Sequence, residues 1–270
     1  MGMVRAMKHF LAPFAIALLT ATAAPAQSLD DIVSLTILPG WRMTDGTHMA
    51  AVSITLAPGW KTYWRTPGDA GIPPLFDWAG SENITAYDLK WPTPEVFWLS
   101  GLRSIGYYDK VIIPIALTTG AGPARMRGQV QIGVCEEVCV PVTLDFDATL
   151  PDGGSRDPVI TAALLDQPLS ARDGKVSAAT CAIAPTDDGL RLTATLTMPS
   201  TGSTENVVIE AGDPSVWVSE PVVQRNGNRL TAVADLVQSG GAGFALNRAA
   251  VRFTVLGSDR AVDIQGCTAG

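Results

Sequence analysis

Cys135 and Cys139 stand four positions apart in the stretch Gly133 to Pro141, GVCEEVCVP. Two cysteines at that spacing can close a local disulfide, give two ligands to a metal, or exchange electrons with the thiols of another protein. A fully extended chain would hold them too far apart to bond, so a turn has to fold them together. Cys181 and Cys267 complete a set of four cysteines. Of the three pairings that four allow, 135 with 139 and 181 with 267 is the economical one. The second bridge would close a loop of nearly the whole carboxy-terminal half, worth about 4 to 5 kcal/mol on chain-entropy reasoning. Metal is the least well supplied use: beyond His9 in the leader the one histidine is His48, and a closed zinc site usually takes four Cys or His ligands. His48 reads as an incidental strand residue, the methionines make no cluster, and neither a metal nor a cofactor is expected.

The flanking residues carry a period of two. In GQVQIGVC, Val130, Ile132 and Val134 share one face, while Gln129, Gln131, Gly133 and Cys135 share the other. After the turn, Val140, Val142, Leu144 and Phe146 lie opposite Cys139, Pro141, Thr143 and Asp145. A hairpin around Glu136-Glu137-Val138 therefore sets both cysteines on its non-core face as cross-strand neighbours, within reach of a disulfide after modest adjustment. Such a bridge is expected to be exposed. Closing so short a loop gains little entropy, and exposed disulfides are the labile kind. A pinned hairpin and a thiol-exchange couple both remain open at this level. Two glutamates and no local cation surround the thiols, which argues against a strongly oxidising couple with a low thiol pKa.

The elements that must position this hairpin are mostly strands. HMAAVSITL, KVIIPIAL and VPVTLDFDATL alternate between turn residues, and beyond residue 170 so do LRLTATLTM, ENVVIEA, RLTAVADLV and AAVRFTVLG. Leu190, Leu192, Ala194, Leu196 and Met198 line one face of their strand, as in a half-buried antiparallel sheet. LAPGWKTYWRTPGDAGIPPLFDW reads as a long ordered loop held by aromatic packing. LPDGGSRD is a turn, and PVITAALLDQPLS after it is a short helix or an irregular connector. The expected fold class is all-β, two successive β-sandwich-like domains: residues 27–152 and 171–270, with 153–170 as linker.

Residues 1–26 read as a secretory signal peptide. Arg5 and Lys8 precede the apolar run LAPFAIALLTATAA, and Ala24-Pro25-Ala26 is a small-residue cleavage site. No later stretch approaches the roughly 18 to 20 apolar residues of a membrane span, so the mature chain is expected to be exported without a transmembrane segment. The whole chain carries a formal charge of −7, and loss of Arg5 and Lys8 makes it more acidic. Such a surface does not steer toward nucleic acid or an anionic membrane. Hydrolase chemistry is poorly supplied, since THMA offers no nucleophile arrangement and no GxSxG elbow occurs. GAGFAL lacks the glycine pattern and the strand-helix setting of a dinucleotide site.

Taken in order, GWKTYWRTPGDAGIPPLFDW, YYDKVIIPI and GQVQIGVCEEVCVPVTLDF resemble the periplasmic amino-terminal domain of the thiol:disulfide interchange protein DsbD and its ScsB-like relatives, over roughly residues 30 to 150. The ordered combination is specific, whereas a lone CxxxC is weak. The resemblance implies an immunoglobulin-like sandwich over residues 27–152, located in the periplasm, with Cys135 and Cys139 as the redox-active pair of a protein-disulfide reductase type oxidoreductase. Three residues separate them where the best-known member has five. It further implies an aromatic cap loop over the pair, placed here at Phe97 and Trp98. The implied donor is a thioredoxin-like protein, a membrane electron-transfer protein or both, each a separate chain. The implied acceptor is a periplasmic protein carrying a disulfide. Residues 171–270, with Cys181 and Cys267 as a structural disulfide, look like the second β-domain of the ScsB-like relatives. The alternative is a non-enzymatic exported β-sandwich that binds or scaffolds other envelope proteins with both disulfides structural. Metal delivery through the cysteines is a further alternative.

Overall fold

The structure is a computed structural model that describes Gly2 and residues 28–270 apart from 70, 100, 241 and 242. The expected signal peptide, Gly2 aside, lies outside the described residues. A single helical turn, α1 (Leu29–Ile32), leads into ten strands: β1 (Val33–Arg42), β2 (His48–Leu56), β3 (Lys61–Tyr63), β4 (Leu75–Asp77), β5 (Ile84–Leu89), β6 (Glu95–Leu99), β7 (Leu102–Tyr108), β8 (Lys110–Thr119), β9 (Ala124–Cys135) and β10 (Cys139–Leu150). Strands β1, β2, β8 and β5 form one antiparallel sheet in that order. The facing sheet runs β10, β9, β3, β7, β6, with β4 also on β9. Val52, Ile54, Ile113 and Ile115 from the first sheet and Ile105, Val130, Ile132 and Val134 from the second fill the space between them. Each such side chain contributes roughly 1.5 to 3 kcal/mol on burial, which fixes the register: a one-residue slip would turn every one of them outward.

The stretch read as a long aromatic loop is two short strands and their connection. β3 and β4 both add to β9, and the described residues between them loop out with Trp64 fully buried. A second difference concerns β2. Period two puts Ala51 on an outer, wet face, yet Ala51 is fully buried. The cause is α2 (Pro158–Leu165), which packs Ile160 against Trp41, Met49 and Ala51. Pro158 at its first position and the Asp157 side chain, which accepts from the amides of Val159 and Ile160, start that helix after the turn.

Strands β11 (Leu169–Ser170), β12 (Ala178–Pro185), β13 (Leu190–Thr197), β14 (Asn206–Glu210), β15 (Val216–Val218), β16 (Val222–Asn226), β17 (Arg229–Gln238), β18 (Arg252–Leu256), β19 (Ala261–Gln265) and β20 (Thr268–Ala269) build the second sandwich. One sheet is ordered β11, β19, β18, β14; the other runs β15, β17, β13, β12, β20, with β16 also on β17. Leu192, Ala194 and Leu196 point into its core, as their alternation requires, together with Phe253 and Val255. Cys181 on β12 is bonded to Cys267 just before β20, with Cα atoms 5.8 Å apart. The two sandwiches touch. Arg65 forks onto Glu210 with contacts of 3.1 and 2.9 Å, its guanidinium 3.9 Å from the Trp64 ring centroid. Arg103 reaches the Val207 carbonyl at 3.5 Å and Glu220 at 3.4 Å.

Candidate functional site

Cys135 ends β9 and Cys139 begins β10. They are direct cross-strand partners, and they are bonded to each other with Cα atoms 4.2 Å apart. Register extends the pair into a row across four strands: Tyr108 on β7 faces Lys61 on β3, Lys61 faces Cys135, and Cys135 faces Cys139. Period two gives Tyr63, two residues along β3, the same face as Lys61. The hairpin and its facing direction follow the sequence pattern. The exposure does not: Cys135 is fully buried and Cys139 half-buried. The outer face of this sheet carries a small core of its own, in which Tyr63, Phe97, Ile72 and Tyr108 pack around the two cysteines.

Tyr63 is the closest polar group. Its hydroxyl lies 3.0 Å from each sulfur, so its hydrogen can reach either one. Burial pushes the phenol's pKa up, which keeps it protonated and able to donate. The ring lies against Gly133: a Cβ there would sit 2.9 Å from two Tyr63 ring carbons and 2.8 Å from Ile72 Cβ. Glycine at this position is what lets the ring reach the sulfurs.

Phe97 and Trp98 part company. They belong to β6, a strand of the hairpin β6–β7 rather than a loop, and neighbours on a strand face opposite ways. Phe97 is buried against Tyr63 and Tyr108, with ring centroids 6.5 and 5.2 Å away, and lies in the cluster that holds both cysteines. Trp98 is 61% exposed, on the opposite face of the hairpin. Of the two expected cap residues the structure brings only Phe97 to the disulfide.

Lys61 and Tyr63 went unmarked by sequence reasoning, and Lys61 changes the charge around the pair. Its ammonium donates to the Glu136 carbonyl inside the turn at 3.0 Å and stands 5.4 Å from the Phe97 ring centroid and 5.8 Å from that of Tyr108. The count of two glutamates and no cation holds only for residues adjacent in sequence. The signal was present in GWKTY, since Lys61 and Tyr63 share a face of one strand, but it needed the pairing of β3 with β9 to be known. His48 lies on the other sheet, fully buried, its Nε2 2.6 Å from the Pro39 carbonyl. Among the described residues no group of three or more His, Cys, Asp or Glu is placed to hold a metal, and no helix is long and apolar enough to cross a membrane.

Chemically, the arrangement can open and close one S–S bond. One sulfur is half-accessible, its partner is buried, the Tyr63 hydroxyl lies within hydrogen-bond distance of both, and Phe97 packs in the same cluster.

Residues 35–151 match the family model described as thiol:disulfide interchange protein DsbD, N-terminal. Among solved structures, the crystal structure of the N-terminal periplasmic domain of ScsB from Proteus mirabilis superposes with a TM-score of 0.71 at 21% identity, covering 91% of this chain and 97% of that one. That likeness spans both sandwiches and speaks for the fold. No curated protein matches the chain.

Proposed function

We propose, from the premise that residues 35–151 are a domain of the DsbD amino-terminal family, that the protein is a periplasmic thiol:disulfide exchange module in which Cys135 and Cys139 pass reducing equivalents to disulfides of other envelope proteins. The observation that carries this reading is the Cys135–Cys139 bridge itself, held as a cross-strand pair beneath Phe97 with the Tyr63 hydroxyl on both sulfurs. A bridge serving only to pin a hairpin needs neither a donor aimed at its sulfurs nor a removable roof. The donor is a thioredoxin-like protein, a membrane electron-transfer protein or both, and the acceptor is a periplasmic protein disulfide. We assign residues 27–152 to the redox domain and 153–170 to a connecting segment whose helix α2 packs on the first sandwich and whose strand β11 joins the second. Residues 171–270, tied by Cys181–Cys267, serve as a structural companion.

Cys139 is the attacking residue in this account. It is the half-accessible member of the pair, whereas Cys135 is sealed. In the reduced protein its thiolate attacks an acceptor disulfide, one acceptor sulfur leaves, and a mixed disulfide forms. Cys135 then attacks Cys139, closing the bridge and releasing the second acceptor thiol. Phe97 covers the pair between encounters and moves aside when a partner docks. A Cys135→Ser protein, reduced and mixed with a disulfide-bonded acceptor protein, is expected to trap a covalent adduct through Cys139. An adduct with Cys139→Ser alone would reverse the assignment, and no adduct with either would contradict exchange.

A further inference from the structure

Lys61 is 7% exposed, yet among the described residues no carboxylate lies within ion-pair distance of its ammonium. Its partners are one backbone carbonyl, Glu136, and the faces of Phe97 and Tyr108. Burying an ammonium is costly unless an anion accompanies it, and a carbonyl and two rings offset only part of that cost. The disulfide itself is uncharged and leaves this ammonium without an anion. Opening the bridge makes a thiolate in the same cross-strand row, directly opposite Lys61.

Resting on the exchange reading above, we propose that Lys61 is the charge-compensating positioning residue of the couple, supplying the cation for the Cys135 thiolate and anchoring both the turn and the Phe97 roof. In the reducing step a donor thiolate attacks Cys139 Sγ, and the Cys135–Cys139 bond breaks. The electron pair leaves on Cys135 Sγ, beside Lys61 and the Tyr63 hydroxyl. The donor's second thiolate then attacks the donor sulfur of the mixed disulfide and releases Cys139, which takes up one proton. Two electrons and one proton enter the site, and the donor dithiol becomes a disulfide. One bond to Glu136 and two ring contacts tie the same ammonium to the turn and the roof, so charge and cover are coupled through one side chain.

The other titratable groups around the row are Tyr63 on β3, Tyr108 on β7, Glu136 and Glu137 in the turn, and Glu95 on β6. The three carboxylates oppose a thiolate, but all are exposed and screened by water, whereas Lys61 is buried and screened less.

The test uses Cys139→Ser, in which Cys135 is the one free site thiol, with its titration followed by thiolate absorbance and the Cys181–Cys267 bridge checked by mass spectrometry. Adding Lys61→Met or Lys61→Gln is expected to raise the Cys135 pKa by about one unit or more, and Lys61→Arg to restore it. In the intact pair, equilibrium with dithiothreitol shifts about tenfold toward the disulfide in Lys61→Gln, which is about 30 mV. Glutamine can still donate to the Glu136 carbonyl, so a wild-type titration in Lys61→Gln would reduce Lys61 to a turn anchor and overturn the proposal. So would an unchanged titration in Lys61→Met. A wild-type bridge that never equilibrates with dithiothreitol would instead defeat the exchange reading, while the Cys135 titration would still decide the role of Lys61.

Discussion

Replacing Phe97 by alanine removes the roof over the disulfide and leaves the sulfurs, Tyr63 and the hairpin in place. Phe97 is 7% exposed and touches Tyr63, Tyr108 and the Lys61 ammonium. Burial of a phenylalanine side chain is worth about 1.5 to 3 kcal/mol, and the ammonium contact adds on the order of 0.5 to 1. If attack on the pair requires this cover to open, those contacts are what oppose opening. At 1.4 kcal/mol per factor of ten, losing both contributions, about 2 to 4 kcal/mol together, makes the open form roughly 30- to 700-fold more populated. The expected result is an increase of that size in the second-order rate at which a small phosphine reduces the Cys135–Cys139 bridge, and at which a small oxidant closes the reduced pair. Quenching with an alkylating agent and counting labels per peptide by mass spectrometry gives both rates. Trp98→Ala is the control, since that side chain is exposed on the opposite face and should leave both rates unchanged. A Phe97→Ala rate within twofold of wild type, or an equal acceleration by Trp98→Ala, would refute the reasoning.

Gly133→Ala puts a Cβ 2.9 Å from the Tyr63 ring; it should cost about 1 to 3 kcal/mol in urea unfolding and weaken the hydroxyl's hold on the sulfurs, slowing exchange. Unchanged stability and rate would mean the ring has room to spare. Burial of His48 and the nearby Arg42 charge hold its pKa below 6.5, outweighing the Pro39 carbonyl contact. The unfolded chain therefore takes up the proton first. The resulting stability is complete above about pH 6.5 and is lost as pH falls through the lower folded-state value, by up to about 1.4 kcal/mol per pH unit. Urea midpoints measured from pH 7.5 to 5 should show that decline in wild type and a shallower one in His48→Gln; parallel curves would exclude His48 as its source. Paired Cys181→Ala and Cys267→Ala substitutions should lower stability by about 2 to 5 kcal/mol while leaving the reduction equilibrium of Cys135–Cys139 within twofold. A larger change in that equilibrium would show that the second sandwich tunes the couple.

The fold class and the cysteine hairpin were legible because both rest on period two. Val130, Ile132 and Val134 had to face one way and Cys135 the other, and β9 and β10 follow that pattern along their whole length. What the pattern could not supply was the cover over the far side. It marks the cysteine face as outer, and only the pairing of β3 with β9 and of β6 with β7 brings Tyr63, Phe97 and Lys61 onto that face. Those contacts join residues up to 76 positions apart, and no local spacing encodes them. Phe97 and Trp98 illustrate the same gap: a loop can present both rings, a strand only one, so naming the element decides which side chain reaches the site. Ala51 repeats the miss on the other sheet, appearing half-exposed by alternation until α2 is laid across it.

The most direct test of the account is an equilibrium titration of the folded protein with glutathione or dithiothreitol, reading the Cys135–Cys139 and Cys181–Cys267 bridges separately by mass spectrometry. An exchange couple predicts reversible reduction of the first bridge at about −180 to −270 mV while the second stays closed. A first bridge that resists until below about −300 mV, or that opens only when the protein unfolds, would make it a structural staple and contradict the claim.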